Sequence, residues 1–140
     1  MVSLTLIRGI PGSGKSTLAK LIAQSSLNAV HLEADMYFSQ DGEYKFDASK
    51  LHQAHSWCMT ETIQALNRGR DVIVSNTFTT IKELRPYFEF AKTFAAGTVP
   101  RVILAQNQFT NVHGVPEEKL AQMRARFVYD LTPLFVEFSQ

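Results

Sequence analysis

A chain of 140 residues, 45% hydrophobic and 19% charged, fits one soluble globular domain over residues 1–140 with enough apolar content for a real core. Its 14 basic and 13 acidic residues leave a net charge of +1, which excludes a large sequence-independent attraction for nucleic acid but leaves a local basic groove open. The single cysteine, Cys58, excludes an internal disulfide framework and suits a reducing compartment. The first eight residues are apolar for too short a run to read as a secretory signal, and no stretch approaches the roughly 20 apolar residues of a membrane span. The expectation is a cytoplasmic protein with no membrane partner.

Residues 2–8 are apolar and β-branched and stop at Gly9, which predicts a strand. Residues 9–14 form a glycine-rich turn. Residues 15–25 predict a helix with Leu18, Leu21 and Ile22 on one face. Residues 29–32 predict a short second strand. Residues 33–47, with Asp41-Gly42 and two tyrosines, predict mostly loop. A long helix follows over 48–67, with Leu51, Ala54, Met59, Ile63 and Leu66 apolar, and Gly69 ends it after a basic turn. Asp71 opens a buried strand, Val72-Ile73-Val74-Ser75. Residues 81–95 predict a second crossover helix despite Pro86, with Gly97 as its stop. A strand at 99–105 and a polar loop at 106–115 come next. Pro116 then starts the last main helix, where Glu117 and Glu118 suit the positive end of the helix dipole. Residues 131–140 are open between a closing strand and a docked helical turn.

Trp57, Cys58, Phe88, Phe90 and Phe94 read as core. His52 and His55, three apart on a helix, could ligate a metal, but no third ligand is evident and packing is the simpler role. Strands alternate with helices throughout, so the expected fold is α/β, a parallel sheet between two helical layers.

The strongest signal is Gly9-Ile10-Pro11-Gly12-Ser13-Gly14-Lys15-Ser16, a full match to G-x-x-x-x-G-K-[ST] between a strand and a helix. Glycines there let backbone N–H groups cup phosphate oxygens, and the next helix adds its positive end. Gly9, Pro11, Gly12, Ser13 and Gly14 would form the cup. Lys15 would reach the β- and γ-phosphates, Ser16 would offer its hydroxyl to Mg²⁺, and Thr17 would lie near the α-phosphate. ATP and Mg²⁺ are the expected ligands.

Ligands of an open α/β sheet bind beyond the carboxyl ends of its strands. Asp35 lies there after the second strand, and Asn76 and Thr77 after the third, so both segments should converge on the P-loop. Asp35 is the candidate general base for an attacking hydroxyl; a turn cap is its alternative role. Glu33 could serve near the metal or point away. Strand 72–75 lacks a following acidic residue, which leaves Ser75-Asn76-Thr77 to hold the metal's water shell. Asp71 reads as a turn residue at the far end of the sheet, and Arg101 as structural. Arg124 and Arg126 are candidates for positive charge opposite the P-loop, with solvation as the alternative; two positions apart, they face different directions.

Residues 8–17 resemble the opening of P-loop kinases similar to the kinase domain of phage polynucleotide kinase, together with their AAA-type ATP-binding relatives. Further resemblance runs through Asp35-Met36-Tyr37-Phe38, Gly42-Glu43-Tyr44-Lys45-Phe46-Asp47, Ala54-His55-Ser56-Trp57, Val72-Ile73-Val74-Ser75-Asn76-Thr77 and Asn111-Val112-His113-Gly114-Val115-Pro116, with Met123 and Arg126-Phe127 following. The resemblance implies an adenylate-kinase-like P-loop fold, ATP as donor with Mg²⁺, and Asp35 as the base activating a hydroxyl such as a nucleic-acid 5′-hydroxyl. Phe38 stands where that group carries an arginine that helps hold the acceptor, and Thr110 where it often has a lid arginine. These departures favour one alternative, a nucleotide-binding or slowly hydrolysing regulatory protein; the near-neutral charge slightly favours another, a kinase of small-molecule hydroxyls such as nucleosides or sugars, over nucleic acid as acceptor.

Overall fold

The structure is a computed structural model that describes residues 2–94, 98–108 and 114–139. Alternation of buried side chains along the strands explains its layers. In β1 (Leu4–Arg8) and β3 (Asp71–Asn76), Leu4, Leu6, Val72 and Val74 face one side of the sheet, and Ile7 and Ile73 face the other. With β2 (Ala29–Leu32) and β4 (Arg101–Leu104) they form a four-stranded, fully parallel sheet in the order β2-β3-β1-β4. The register sets Leu6 beside Val74 and Val102, and Arg8 beside Asn76 and Leu104. The strand leading into the glycine-rich turn is therefore interior, and its end is flanked on both sides.

Helices cover both faces, as the strand–helix alternation predicts. α1 (Lys15–Gln24) packs Leu18, Ala19 and Ile22 against Ile7, Ile73 and Ala105. Leu21, expected on that face, is 60% exposed, because at 100° per residue it falls outside the arc set by Leu18, Ala19 and Ile22. α2 (Leu51–Asn67) buries Ala54, Cys58, Thr62 and Leu66 in the other layer. That is a stripe at every fourth residue, small enough at three positions to bring the helix close to the sheet. Thr62 Oγ1 is satisfied inside the helix, donating to the Cys58 carbonyl at 2.7 Å. Leu51 lies off the stripe and is exposed, as are His52 and His55, although burial of part of the His55 ring lowers its pKa against the pull of Glu83. Among the described residues no group of three His, Cys, Asp or Glu side chains could hold a metal.

α3 (Ile81–Phe94) buries Leu84, Tyr87, Phe88 and Ala91 in the same layer and accommodates Pro86 within its length, while Phe94 at its end is 40% exposed. Ala95 and Gly97, the predicted end of this helix, lie outside the described residues. The predicted loop at 33–47 contains a 3₁₀ turn, Ala34–Ser39, and a second short one, Ala48–Lys50, leads into α2. The last segment is helical: α4 (Glu117–Arg126) is followed by α5 (Thr132–Phe138), which docks Leu134 into the core and sets Phe135 and Phe138 against Phe88 with ring centroids 5.3 and 5.6 Å apart. No helix among the described residues is long and apolar enough to cross a membrane.

Leu134 is fully buried although it belongs to a short closing helix. Leu134→Ala should therefore cost about 3 kcal/mol, as for a core leucine. Urea unfolding should show a lower midpoint with little change in slope.

Candidate nucleotide-binding site

The glycine-rich segment leaves β1 in a tight turn. Ser13 N–H donates to the Ile10 carbonyl at 3.1 Å, with Pro11 and Gly12 between them and Gly12 at φ +86°. That is the arrangement of a type II turn, with proline pre-set at its first central position and glycine required at its second. Gly9 is needed for space: a Cβ there would sit 2.3 Å from Ser13 Oγ and 2.8 Å from the Ala105 carbonyl. Ser13 Oγ is buried and makes no hydrogen bond among the described residues. The loop is also tied to both flanking strands, since Gly9 N–H donates to Thr77 O (3.3 Å) and Asn107 N–H to Ser13 O (3.0 Å).

Gly14 (φ +88°) is the N-cap of α1 and has no side chain to cap it. The intrahelical ladder begins with Leu18 N–H to Gly14 O at 3.0 Å, so the N–H groups of Lys15, Ser16 and Thr17 precede it and carry the positive end of the helix. This is the backbone geometry of an anion cup. Lys15 Nζ turns back over the loop, 3.5 Å from the Ile10 carbonyl. Burial pulls its pKa below the ordinary lysine value, while Glu33 and Asp35 act in the opposite direction. Thr17 is exposed.

Ser16 has a partner on which the sequence was silent. Its hydroxyl donates to Glu33 Oε2 at 2.7 Å, and the same oxygen accepts from Ser75 Oγ at 2.9 Å. His31 Nε2 lies 2.7 Å from Ser75 Oγ and 3.8 Å from Glu33 Oε2. Burial lowers the His31 pKa, against the pull of Glu33, with Lys20 adding to the lowering. An ionised carboxylate only accepts, so Ser75 donates to Glu33, and a neutral His31 protonated on Nε2 donates to Ser75. Asn76, the last residue of β3, accepts from Ala34 N–H at 2.9 Å and pins the chain between Glu33 and Asp35. Asn76 and Thr77 thus converge on the P-loop region as expected, Asn76 through Ala34 and Thr77 through Gly9 N–H, and Ser75 joins them through Glu33.

Asp35 is half-buried in the 3₁₀ turn and accepts from the Tyr44 hydroxyl at 2.9 Å. Partial burial and that bond push the Tyr44 pKa up to about 12, so the tyrosine remains a donor at neutral pH. Phe38 points into the core, 6% exposed, with Tyr37, Tyr44 and Phe46 edge-on around it. Beside this aromatic cluster is an open cleft of about 940 Å³ whose lining includes Tyr37, Phe46, Lys45 and Lys50.

The two candidate arginines part company. Arg124 Nη1 pairs with Glu117 Oε1 at 2.9 Å on its own helix, half exposed. Arg126 Nε donates to Thr79 Oγ1 at 3.2 Å, at the corner between β3 and α3. Arg8, at the end of β1, also reaches this corner: Nε and Nη2 donate to Phe78 O at 2.9 and 2.7 Å, and the guanidinium lies 4.2 Å from the Phe127 ring centroid. A charged residue closing an apolar strand just before a glycine turn was the available signal for Arg8. Thr110 and Asn111-Val112-His113 lie outside the described residues. Asp71 receives Ser3 N–H at 2.8 Å and Arg101 Nη2 donates to Ser3 Oγ at 3.2 Å, both at the far end of the sheet.

The profile of the AAA-domain family matches residues 4–129. The chain belongs to this family. NEDD4-binding protein 2 (Homo sapiens) is 32% identical over 128 residues, which make up 86% of this chain and 7% of that protein. The uncharacterized protein PM0531 of Pasteurella multocida (strain Pm70) is 29% identical over 136 residues, 88% of this chain and 75% of that one. Among solved structures, a chain of the Pnkp1/Rnl/Hen1 RNA repair complex superposes with a TM-score of 0.59 at 19% identity, covering 87% of this AAA-domain chain and 36% of that chain. A candidate kinase from Chloroflexus aurantiacus superposes with a TM-score of 0.59 at 22% identity, covering 74% of this chain and 58% of its own. The chain therefore spans a small fraction of its human relative and less than two thirds of either solved chain. The shared architecture is a parallel α/β fold with helices on both faces of the sheet.

The lowered pKa of Lys15 fixes a sign. Between its folded and unfolded values the unfolded chain binds more protons, so this group's contribution to stability rises with pH across that window, below 10.5. Below the window the buried ammonium is a full cost. Lys15→Met should raise the melting temperature of the ligand-free protein at pH 7, and the gain should shrink as pH approaches 10; thermal melts across that range test it.

Proposed function

We propose that this chain transfers the γ-phosphate of ATP, in the presence of Mg²⁺, to a hydroxyl, and that a polynucleotide 5′-hydroxyl is the acceptor. The observation that carries the proposal is the meeting of two chemistries at one end of the sheet. Lys15, at the mouth of the phosphate cup, lies within electrostatic reach of Asp35, which stands just past β2. A carboxylate there can accept the proton of a hydroxyl while the lysine holds the phosphate that it attacks. The fold shared with the RNA-repair chain and the sequence resemblance to polynucleotide kinases support the choice of acceptor.

In this mechanism the P-loop N–H groups and the first turn of α1 hold the phosphates. Lys15 bridges toward the transferring group, and Ser16 would hold Mg²⁺, to which its hydroxyl and the neighbouring carboxylate offer the oxygen donors a hard cation takes. The metal, when bound, neutralises charge on the β- and γ-phosphates. Asp35 takes the acceptor's proton as its oxygen bonds to the γ-phosphorus; the bond to the β–γ bridging oxygen breaks, and ADP leaves with that electron pair. Tyr44 orients Asp35 through its hydroxyl. Arg126, at the β3–α3 corner, is assigned to the developing phosphoryl charge, whereas Arg124 is spent on Glu117.

A small-molecule hydroxyl is the second candidate acceptor, and Phe38 favours it. Buried among aromatic rings, Phe38 offers no cation to a nucleic-acid strand, and the cleft beside it balances Lys45 and Lys50 against Asp41 and Asp47.

The deciding experiment offers radiolabelled Mg²⁺-ATP to 5′-hydroxyl DNA and RNA oligonucleotides and, separately, to nucleosides, with Lys15→Ala as the blank. Labelled oligonucleotide supports the primary proposal, labelled nucleoside the second, and neither would sink the transferase assignment in favour of a nucleotide-binding regulatory protein. Asp35→Asn should retain ATP affinity and lower the transfer rate by about 10²–10⁴-fold. Arg126→Ala should lower kcat by about 10²-fold or more, against less than about threefold for Arg124→Ala.

A further inference from the structure

We infer that Glu33 is the carboxylate ligand of the nucleotide's Mg²⁺, supplied from the end of β2 because β3 carries no acidic residue at that end, and that Ser75 and His31 are the residues that position it. The inference rests on binding of Mg²⁺-nucleotide at the P-loop and adds to it a second protein ligand beside Ser16.

The geometry is that of two neighbouring ligands on one ion. Mg²⁺ takes oxygen at about 2.0–2.1 Å in an octahedron, so adjacent ligand oxygens sit about 3 Å apart. Ser16 Oγ and Glu33 Oε2 are 2.7 Å apart, close to that edge length. A cation between them replaces the hydrogen-bonding proton of Ser16 as the positive partner of the carboxylate. Little side-chain movement is needed, since the carboxylate is already held. Ser75 donates to the same oxygen at 2.9 Å, and His31, on the strand that leads into the glutamate, braces Ser75 at 2.7 Å. The backbone beyond is fixed as well, through Ala34 N–H to Asn76 Oδ1 at 2.9 Å.

Strand chemistry explains why the ligand comes from here. β3 ends Val74-Ser75-Asn76, and its last side chains are committed to Glu33 and to the backbone of residue 34. β2 lies next to β3, in register through Leu32 beside Val74, so the residue after Leu32 emerges beside Ser75. Glu33 is extended there, at φ −148° and ψ 149°, and its carboxylate reaches across the end of β3 to Ser16 at the start of α1.

The test separates metal from nucleotide. Mn²⁺ replaces Mg²⁺ as the probe, and its binding to the protein–ADP complex is followed by the loss of its free-ion electron paramagnetic resonance signal; ADP affinity is measured separately in EDTA by calorimetry. Glu33→Gln should weaken Mn²⁺ binding tenfold or more while ADP in EDTA binds as tightly or more tightly, because a negative charge near the phosphates is gone. Ser75→Ala should weaken Mn²⁺ binding severalfold by loosening the carboxylate, and it decides the matter if Glu33→Gln does not fold. Mn²⁺ affinity within twofold of wild type in the folded variant would overturn the role of Glu33 and leave the P-loop assignment standing. Tighter Mn²⁺ binding would also overturn it, marking Glu33 as a latch on Ser16. A wild-type protein that binds neither ADP nor Mn²⁺ would take the P-loop proposal down with it.

Discussion

The guanidinium of Arg8 holds three segments at one point, and the geometry around the phosphate cup depends on it. Arg8 ends the interior strand, is 2% exposed, and spends its donors on the carbonyls of Phe78 and Thr79 while its face lies on Phe127. A buried cation is costly unless its donors are used. Here they are used on the backbone beyond β3, and desolvated stacking on an aromatic ring adds an attraction of about 2 kcal/mol. Phe78 adopts φ +46°, a left-handed conformation that a non-glycine residue enters at a cost of about 1–2 kcal/mol. Two charge-assisted bonds to its carbonyl are enough to offset that cost.

The bent corner in turn places Thr79. Its backbone and hydroxyl are captured by Glu83, its carbonyl accepts from Val128 N–H at 2.8 Å, and its hydroxyl accepts from Arg126. The end of α4 is thereby fastened to the same corner that Arg8 turns. The P-loop is fastened there too, through Gly9 N–H to Thr77 O. Arg126 is therefore linked to the same corner as the P-loop through a chain of contacts that begins one residue before the first glycine. Arg124, on another face of the same helix, has no part in that chain.

Much of this was legible in the sequence where local chemistry decides structure. The strand–glycine–helix order, the parallel sheet with helices on both faces, and Asp35 beyond β2 follow from periodicity and motif, because an eight-residue loop that must cup phosphate leaves few alternatives. Three features were not legible, each for a long-range reason. Glu33 could be read as facing the metal or away from it, since the direction of a side chain after a short strand is set by its neighbour β3, which comes some forty residues later. Arg8 looks like an ordinary strand end until the corner at Phe78 and the ring of Phe127 are seen to enclose it. Leu21 and Leu51 look like core because apolar residues at helical spacing do; both fall off the arc that the sheet selects. The closing segment, ambiguous by pattern, is settled as a helix by Phe88, whose ring gives Phe135 and Phe138 a surface to pack on.

The division between rigid and free parts bears on the acceptor. The glycine-rich turn and the residues around it are built into the sheet or bonded to it: Gly9 to Thr77, Ser13 to Asn107, Glu33 to Ser75, Ala34 to Asn76. The next stretch, residues 41–50, is exposed throughout and touches the core mainly through the aromatic edges around Phe38. Substitutions there cost little stability, so acceptor contacts can change without disturbing the phosphate site. An arginine at position 38 would have to abandon the buried aromatic cluster to reach an acceptor. Phe38 instead roofs the core, and Lys45, Phe46 and Lys50 line the open cleft at the rim. In the proposed kinase, the phosphate contacts are thus tied to the fold, and the choice of hydroxyl falls to a segment on which the fold does not depend.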